Sequence, residues 1–563
     1  MQHDYDVIIL GGGMAGLTLA MQIKQKQPDI SVAVLERRNN KAPIAAHKVG
    51  ESTVELGTYY LRENLNLKDY LEKNHLHKHG LRFYFSPQVK ETIDKRVEYG
   101  ARNELFVPSH QIDRGIFEND LVEMVAQMGI EIILGVVVQD VDLSDEGHTV
   151  FYKQNGEEKQ LTSNWVVDAT GRANLLKRKE GLTKEIEHNI NAAWFRVEGE
   201  IDVESWSENE SWRNYINPGL RRLGTVHFMG KGYWVWFIPL PSGNTSIGIV
   251  ADPRFHDFSS FNKLEKAFEW LEKNEPLCAK HLAAKKDKVL DFRILKKFSY
   301  NSKLFYSTEK WGVVGEAGAF LDPFYSPGAD FISLSNSWMG DLIVREYKGE
   351  DVYTRTIVYD KVHAQLFENW IPIYQDKYEL FGNTQVITVK ISWDFAVYWG
   401  IPSLIFTNGG FVNLKVLKSL FTTQNSFGER FANLNKQVQD FYLDWGRIEN
   451  ILITDTYIDP MDVPFLADFQ KGLEYIHESD EKLIIKLEEN LVILEKMAAE
   501  IFRVISARLK NTPDDLSVDP YTMSLKLSKE ELIEFGKAET AQPPDKYMAN
   551  AISALWLNEK VII

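Results

Sequence analysis

Asp6-Val7-Ile8-Ile9-Leu10-Gly11-Gly12-Gly13-Met14-Ala15-Gly16 is the stretch whose reading decides the fold. Asp6–Leu10 reads as a buried strand, Met14–Lys26 carries helical spacing, and Ser31–Leu35 reads as a second strand, which makes a βαβ opening. Gly11, Gly13 and Gly16 fit G-x-G-x-x-G at the junction of strand and helix. In that setting the first glycine permits the tight turn and the second lets the backbone approach a pyrophosphate. The third allows close helix–strand packing. The phosphates would lie against free N–H groups of the helix N-terminus, next to Met14 and Ala15. Glu36, twenty residues after Gly16, ends the second strand with Arg37 beside it, where a carboxylate accepts hydrogen bonds from a ribose diol.

Working outward, Arg114–Met128 predicts a helix, Ile130–Val138 a strand, and Trp165–Ala169 a short buried strand. Between about 181 and 300 the strands become aromatic, as in Ala192–Val197 and Tyr233–Ile238, before Trp311–Gly315 resumes the buried pattern. From about 340 the chain reads as helical. Ile484, Leu487, Leu491, Leu494, Ala498, Ile501 and Ile505 mark one long amphipathic helix that ends before Pro513. The expected fold is α/β. A Rossmann-like dinucleotide domain covers 1–180 and 300–340, a sheet-rich insertion covers 181–299, and a helical region covers 341–563.

The 563 residues need more than one simple domain, and 44% hydrophobic with 26% charged residues is ordinary globular composition. A formal charge of -16 argues against nucleic acid or an anionic membrane as partner, since both attract basic surfaces. The single cysteine, Cys278, excludes an internal disulfide and any multi-cysteine metal site, and no metal is expected. No apolar run approaches the roughly 18 residues of a membrane span, and the first residues lack the pattern of a signal peptide, so a cytoplasmic location is expected.

Three further segments select FAD. Asp113-Arg114 precedes a helix, where the arginine is placed to approach the cofactor. Asp168-Ala169-Thr170-Gly171-Arg172 ends a strand in a tight turn suited to the nucleotide end. Gly315-Glu316-Ala317-Gly318 resembles the second FAD motif of flavoprotein hydroxylases, in which an acidic side chain binds the ribityl chain. That family normally has Asp where this chain has Glu316.

Three more segments resemble flavin-dependent halogenases. Trp234-Val235-Trp236-Phe237-Ile238-Pro239 matches W-x-W-x-I-P, Phe320 to Gly328 matches F-x-x-P-x-x-S-x-G, and Lys48-Val49-Gly50-Glu51-Ser52 resembles the loop that closes over the flavin ring. The resemblance implies that Trp234, Trp236 and Pro239 shield the flavin side, that Val49, Gly50 and Ser52 contact the cofactor, and that Lys78 is the essential lysine. It further implies reduced FAD from a separate reductase, a flavin hydroperoxide formed with oxygen, and attack by chloride or bromide to give a hypohalous acid. Lys78 would relay that acid to a small electron-rich aromatic substrate, either free or tethered to a carrier protein.

Two departures qualify the resemblance. Halogenases of free tryptophan carry a glutamate just before the signature serine, Ser326. Here that residue is Tyr325, a poor base near neutrality, which favours a phenol, resorcinol or pyrrole that activates itself. Relatives hold chloride on the backbone N–H groups of the two residues after the serine. Pro327 has none, which leaves Gly328, with Ala329 beyond it, and implies a weakened, shifted or larger-halide site. Two other readings remain: an aromatic hydroxylase with the same FAD motifs, and a degenerate FAD-binding scaffold subunit.

Overall fold

The computed structural model of the protein describes residues 3–86, 88–421, 426–451 and 453–556. Tyr5–Leu10 pairs in parallel with Val32–Glu36 on one side and with Glu157–Asp168 on the other. Parallel neighbours require a crossover, which the helix Met14–Lys26 provides. A Cβ at Gly16 would lie 2.0 Å from the Gly11 carbonyl oxygen, so helix and strand can approach this closely only around glycine. Trp311–Val313 and Glu131–Leu134 extend the sheet in parallel. The expected strand Ile130–Val138 is in fact two. Gly135, at φ +70°, turns the chain, and Val136–Asp142 leaves the parallel sheet for an antiparallel pairing with His148–Gln154.

A second sheet of eight strands follows the order Val289–Leu295, Asn191–Val197, Thr245–Ala251, Tyr233–Pro239, Thr225–Gly230, Leu81–Phe85, Val97–Tyr99 and Thr456–Ile458. Its strands alternate between two cores. Trp234, Trp236 and Ile238 face the main core, whereas Val235 and Phe237 face a separate cluster with Phe195, Phe228 and the helix Leu264–Asn274. Gly248, opposite Trp236, leaves room for the indole; a Cβ there would lie 2.2 Å from the ring. The boundaries drawn at 181 and 299 do not coincide with this sheet, which also takes strands from the 1–180 and 341–563 stretches.

The remaining chain is chiefly helical, with Gly328–Tyr347, Tyr353–Tyr374, Thr384–Tyr398, Phe427–Ile448 and Asp480–Lys510 as its long members. The last is capped by Ser479 and buries Leu487, Leu491, Leu494, Ala498, Ile501 and Ile505 as the spacing predicts. Leu483 is buried in place of Ile484, which is only half-buried. Asn490 Nδ2 donates to the Gly400 carbonyl at 2.8 Å and ties this helix to the helical layer beneath it. No helix among the described residues is long and apolar enough to cross a membrane.

Candidate active site

The segment after Phe320 makes the wall around which the site is built. Ser326 N–H donates to the Pro323 carbonyl at 2.9 Å and closes a turn. Tyr325 and Ser326 both lie in the left-handed region, at φ +70° and +61°. Two such residues in succession cost on the order of 1–3 kcal/mol each, a strain that accumulates at functional sites. Their effect is to divide the side chains between two spaces. Tyr325, Pro327 and Asp330 line one cavity, and Ser326, Gly328 and Ala329 line another.

The second of these is a cleft with about 740 Å³ of empty space, lined by Met14, Val49, Gly50, Ser52, Arg114, Trp234, Trp236 and Glu316 among others. Cations gather at its glycine-loop end. Buried Glu118 accepts from His47 and Arg114, with Lys48 at 3.6 Å, and against its burial the Arg114 charge, the His47 hydrogen bond and Lys48 hold its carboxyl far below the usual range. A Cβ on Gly13 would lie 2.8 Å from Lys48 Nζ, so this amine occupies the approach that glycine keeps open. Gly13 also ends the strand-to-helix turn without a side-chain cap, leaving free N–H groups at the start of Met14–Lys26. The Arg114 Nε and His227 Nε2 atoms are buried without a hydrogen-bond partner. This combination of free donors, cations and a long aromatic-walled cleft fits a dinucleotide with a planar ring at its far end. Glu36 stands at the strand end, accepting from Gly12 N–H at 2.8 Å and Arg38 N–H at 2.8 Å.

At the other end of the cleft, Trp234 and Trp236 stand 5.6 Å apart, centroid to centroid. Trp234 Nε1 donates to Tyr378 Oη at 3.0 Å, and Tyr378 donates in turn to Asp322 at 2.8 Å. A hydroxyl chain runs along the side of this cleft. Ser326 Oγ donates to Ser52 Oγ at 3.0 Å, Ser52 and Thr225 share a 2.7 Å bond, and Gln111 donates to Thr225 at 2.9 Å. Pro327 caps the helix Gly328–Tyr347, so the N–H groups of Gly328 and Ala329 lie in its first turn without intrahelical acceptors. The free N–H groups after Ser326 therefore begin at Gly328, the first residue of the helix.

The first cavity has about 810 Å³ of empty space and lies on the far side of the wall, lined by Glu55, Lys78, Tyr325, Asp330, Trp370, Tyr374, Asp394, Phe395 and Tyr398, among others. Lys78 ends the short strand Leu76–Lys78, paired with Ser109, and its ammonium donates to the Thr53 carbonyl at 2.7 Å. Burial lowers its pKa to about 7 against the opposing pull of Glu55 and Asp330. Burial likewise raises Asp330 to about 7 although it accepts from Gly57 N–H at 2.8 Å and Tyr398 Oη at 2.9 Å. Burial thus shifts lysine and carboxylate toward their neutral forms within one cavity.

Some expected contacts lie elsewhere. Asp168 is fully buried and organises its own turn, accepting from Thr170 N–H at 2.9 Å and Leu176 N–H at 2.8 Å, so it does not line the cleft. Pro239 ends its strand outside the cleft wall, and Ile238 lines the cleft instead. Arg37 is exposed, while Gly315, at φ +55°, forms the turn that presents Glu316. No local motif marks His227. It is fully buried, stacked on Phe83 at 4.5 Å, and burial lowers its pKa to about 3. Glu55, Asp330 and Asp394 were also unanticipated, because nothing local marks a carboxylate that tertiary packing turns toward a lysine.

Comparison with known proteins agrees with this geometry. The family described as FAD binding domain matches residues 4–243. Flavin-dependent halogenase chlA of Dictyostelium discoideum is 29% identical over 467 residues, covering 77% of this chain and 75% of its own length. The 1H-pyrrole-2-carbonyl-[peptidyl-carrier protein] chlorinase of Pseudomonas fluorescens is 26% identical over 391 residues, covering 65% of this chain and 82% of its own. In fold, the halogenase PltM in complex with phloroglucinol and FAD matches with a TM-score of 0.64 at 16% identity, over 86% of this chain and 96% of that one. The chain is an FAD-binding oxidoreductase, and its cofactor is FAD. More particularly, its sequence and fold are similar to those of flavin-dependent halogenases.

Proposed function

We propose that the chain uses FADH2 and O2 to install chlorine or bromine on an electron-rich aromatic ring of the phenol, resorcinol or pyrrole kind. Lys78 carries the activated halogen to that ring. The observation that carries the reading is the division of the site by the 325–330 segment. A substrate beside Lys78 is held apart from the cleft beneath Trp234 and Trp236, as halogenation requires and direct oxygen transfer from flavin does not. Bound and reduced, FAD supplies the oxidant that turns halide into hypohalous acid. Met14, Val49, Gly50, Ser52, Arg114 and Glu316 hold the cofactor, and the N–H groups of Gly328 and Ala329 hold the halide at the helix start. The Lys78 ammonium donates a hydrogen bond to the acid, and its lowered pKa lets it release that proton at neutral pH.

The substrate side combines aromatic walls with the carboxylates of Glu55, Asp330 and Asp394, which suit a flat ring bearing O–H or N–H donors. Two relatives, from Pseudomonas fluorescens and Pseudoalteromonas luteoviolacea, are named as acting on a pyrrole carried by a peptidyl-carrier protein, which supports a tethered pyrrole as the second reading. The test is to incubate the chain with a flavin reductase, O2 and a free phenol or a carrier-loaded pyrrole, with and without halide. Halide-dependent monohalogenated product is expected. A hydroxylated product formed without halide would make the protein a hydroxylase instead.

A further inference from the structure

Tyr325 stands where a base would be needed, and a lone phenol is a poor one. It is not alone. Its hydroxyl donates to Asp394 Oδ2 at 2.7 Å, the other Asp394 oxygen accepts from Gln439 Nε2 at 2.7 Å, and the Lys390 ammonium pairs with the same carboxylate. Lys390 and Gln439 are fully buried, and Asp394 and Tyr325 both reach the cavity that holds Lys78. A buried ion pair is a weak source of stability, so one kept at a cavity wall and joined to a tyrosine points to use. Asp330, on the same cavity, accepts from Gly57 and Tyr398, whereas Asp394 is the carboxylate that accepts from Tyr325.

We infer that Asp394, acting through the Tyr325 hydroxyl, accepts the phenolic proton of the substrate as the ring takes up the halogen. The inference rests on the halogenase reading and deepens it. In the step, the ring carbon forms its bond to halogen as the O–X bond of the hypohalous acid breaks, and the departing hydroxide takes the Lys78 proton to become water. The substrate O–H proton passes to Tyr325 Oη while the proton of Tyr325 passes to Asp394 Oδ2, leaving a neutral halogenated cyclohexadienone. The ring C–H proton then goes to Lys78, its electron pair restores the aromatic ring, and the relay returns its proton to the phenolate oxygen. The sum is ArH + HOX giving ArX + H2O, with every protein group back in its first state. Burial and Asp394 push the Tyr325 pKa well above its ordinary value, so the tyrosine passes protons on and does not rest as an anion.

The experiment uses the full chain loaded with FAD, a flavin reductase, bromide and a series of phenols of graded acidity. With a phenol of pKa near ~10, Asp394→Asn and Tyr325→Phe each lower the halogenation rate by roughly 10²-fold. With a phenol already ionised at the assay pH the loss shrinks to within about threefold, because the proton the relay would accept has already gone. Asp394→Glu recovers part of the rate on the weakly acidic phenol. Should Asp394→Asn fold poorly with Lys390 left unpaired, the double variant Lys390→Met, Asp394→Asn removes both charges and is read the same way. Equal losses across the phenol series overturn the relay alone. Absence of halogenated product from the native chain on every phenol and on a carrier-loaded pyrrole overturns the halogenase reading and the relay with it, whereas product from the pyrrole alone overturns the relay and leaves that reading standing.

Discussion

Lys78 lies between two carboxylates in a cavity, and this neighbourhood sets how it can act. Lys78→Ala is expected to lower halogenation by at least about 10²-fold while bound flavin, read by absorbance, is retained. Burial lowers the pKa of Lys78 to about 7, and Asp330 opposes that fall by favouring the ammonium. If the ammonium is the form that holds the acid, halogenation declines as pH rises through about 7. Asp330→Asn removes a charge that kept the proton on, so the decline moves to lower pH, which a pH–rate profile of both chains would read. Asp330→Asn leaving the profile in place would separate the carboxylate from the lysine. Lys78 itself was legible from the family spacing, but its two carboxylates were not, because Glu55 and Asp330 reach it from segments far apart in sequence.

Among the elements, the helix Gly328–Tyr347 changes the meaning of Pro327. Read along the sequence, a proline after Ser326 removes a donor from the halide site. Read as the residue before a helix, it starts an N-terminus whose next N–H groups are free. Ala329→Pro would delete one of them in a first turn that tolerates proline, and is expected to raise the halide concentration for half-maximal turnover by about tenfold, measured by halide titration. An unchanged titration would remove the helix start from the halide site. The strand Tyr233–Pro239 shows the opposite case. Its alternation of Trp234 and Trp236 against Val235 and Phe237 is a period of two, written in the sequence, and the two cores reproduce it. The βαβ opening was legible for the same reason, since strand, glycine turn and helix are all local. The break at Gly135 was missed because a run of β-branched residues conceals a turn that a single glycine makes.

At the scale of the whole molecule, the FAD-binding half and the helical region meet across the cavity that holds Lys78. Trp370 and Tyr374 come from Tyr353–Tyr374, and Asp394, Phe395 and Tyr398 come from Thr384–Tyr398. Nothing in the helical pattern tells which face of either helix turns toward a lysine three hundred residues earlier, and so the Tyr325–Asp394 pair could not be foreseen. Trp370→Ala should widen the cavity, and is expected to let bulkier phenols compete with small ones, read as a change in the ratio of kcat/KM values between two substrates of different size. A ratio that stays constant would mean that substrate size is selected elsewhere.

The aromatic lining of that cavity has a consequence for an enzyme left without work. Tyr374, Trp370 and Tyr325 are rings of the same electron-rich kind as the proposed substrate, and they line the cavity that holds Lys78, the one into which the proposed mechanism delivers the acid. An enzyme supplied with reductant, oxygen and halide, but no substrate, would have its own wall as the nearest acceptor. Its working life would then be set by how often the cavity is empty when the oxidant arrives.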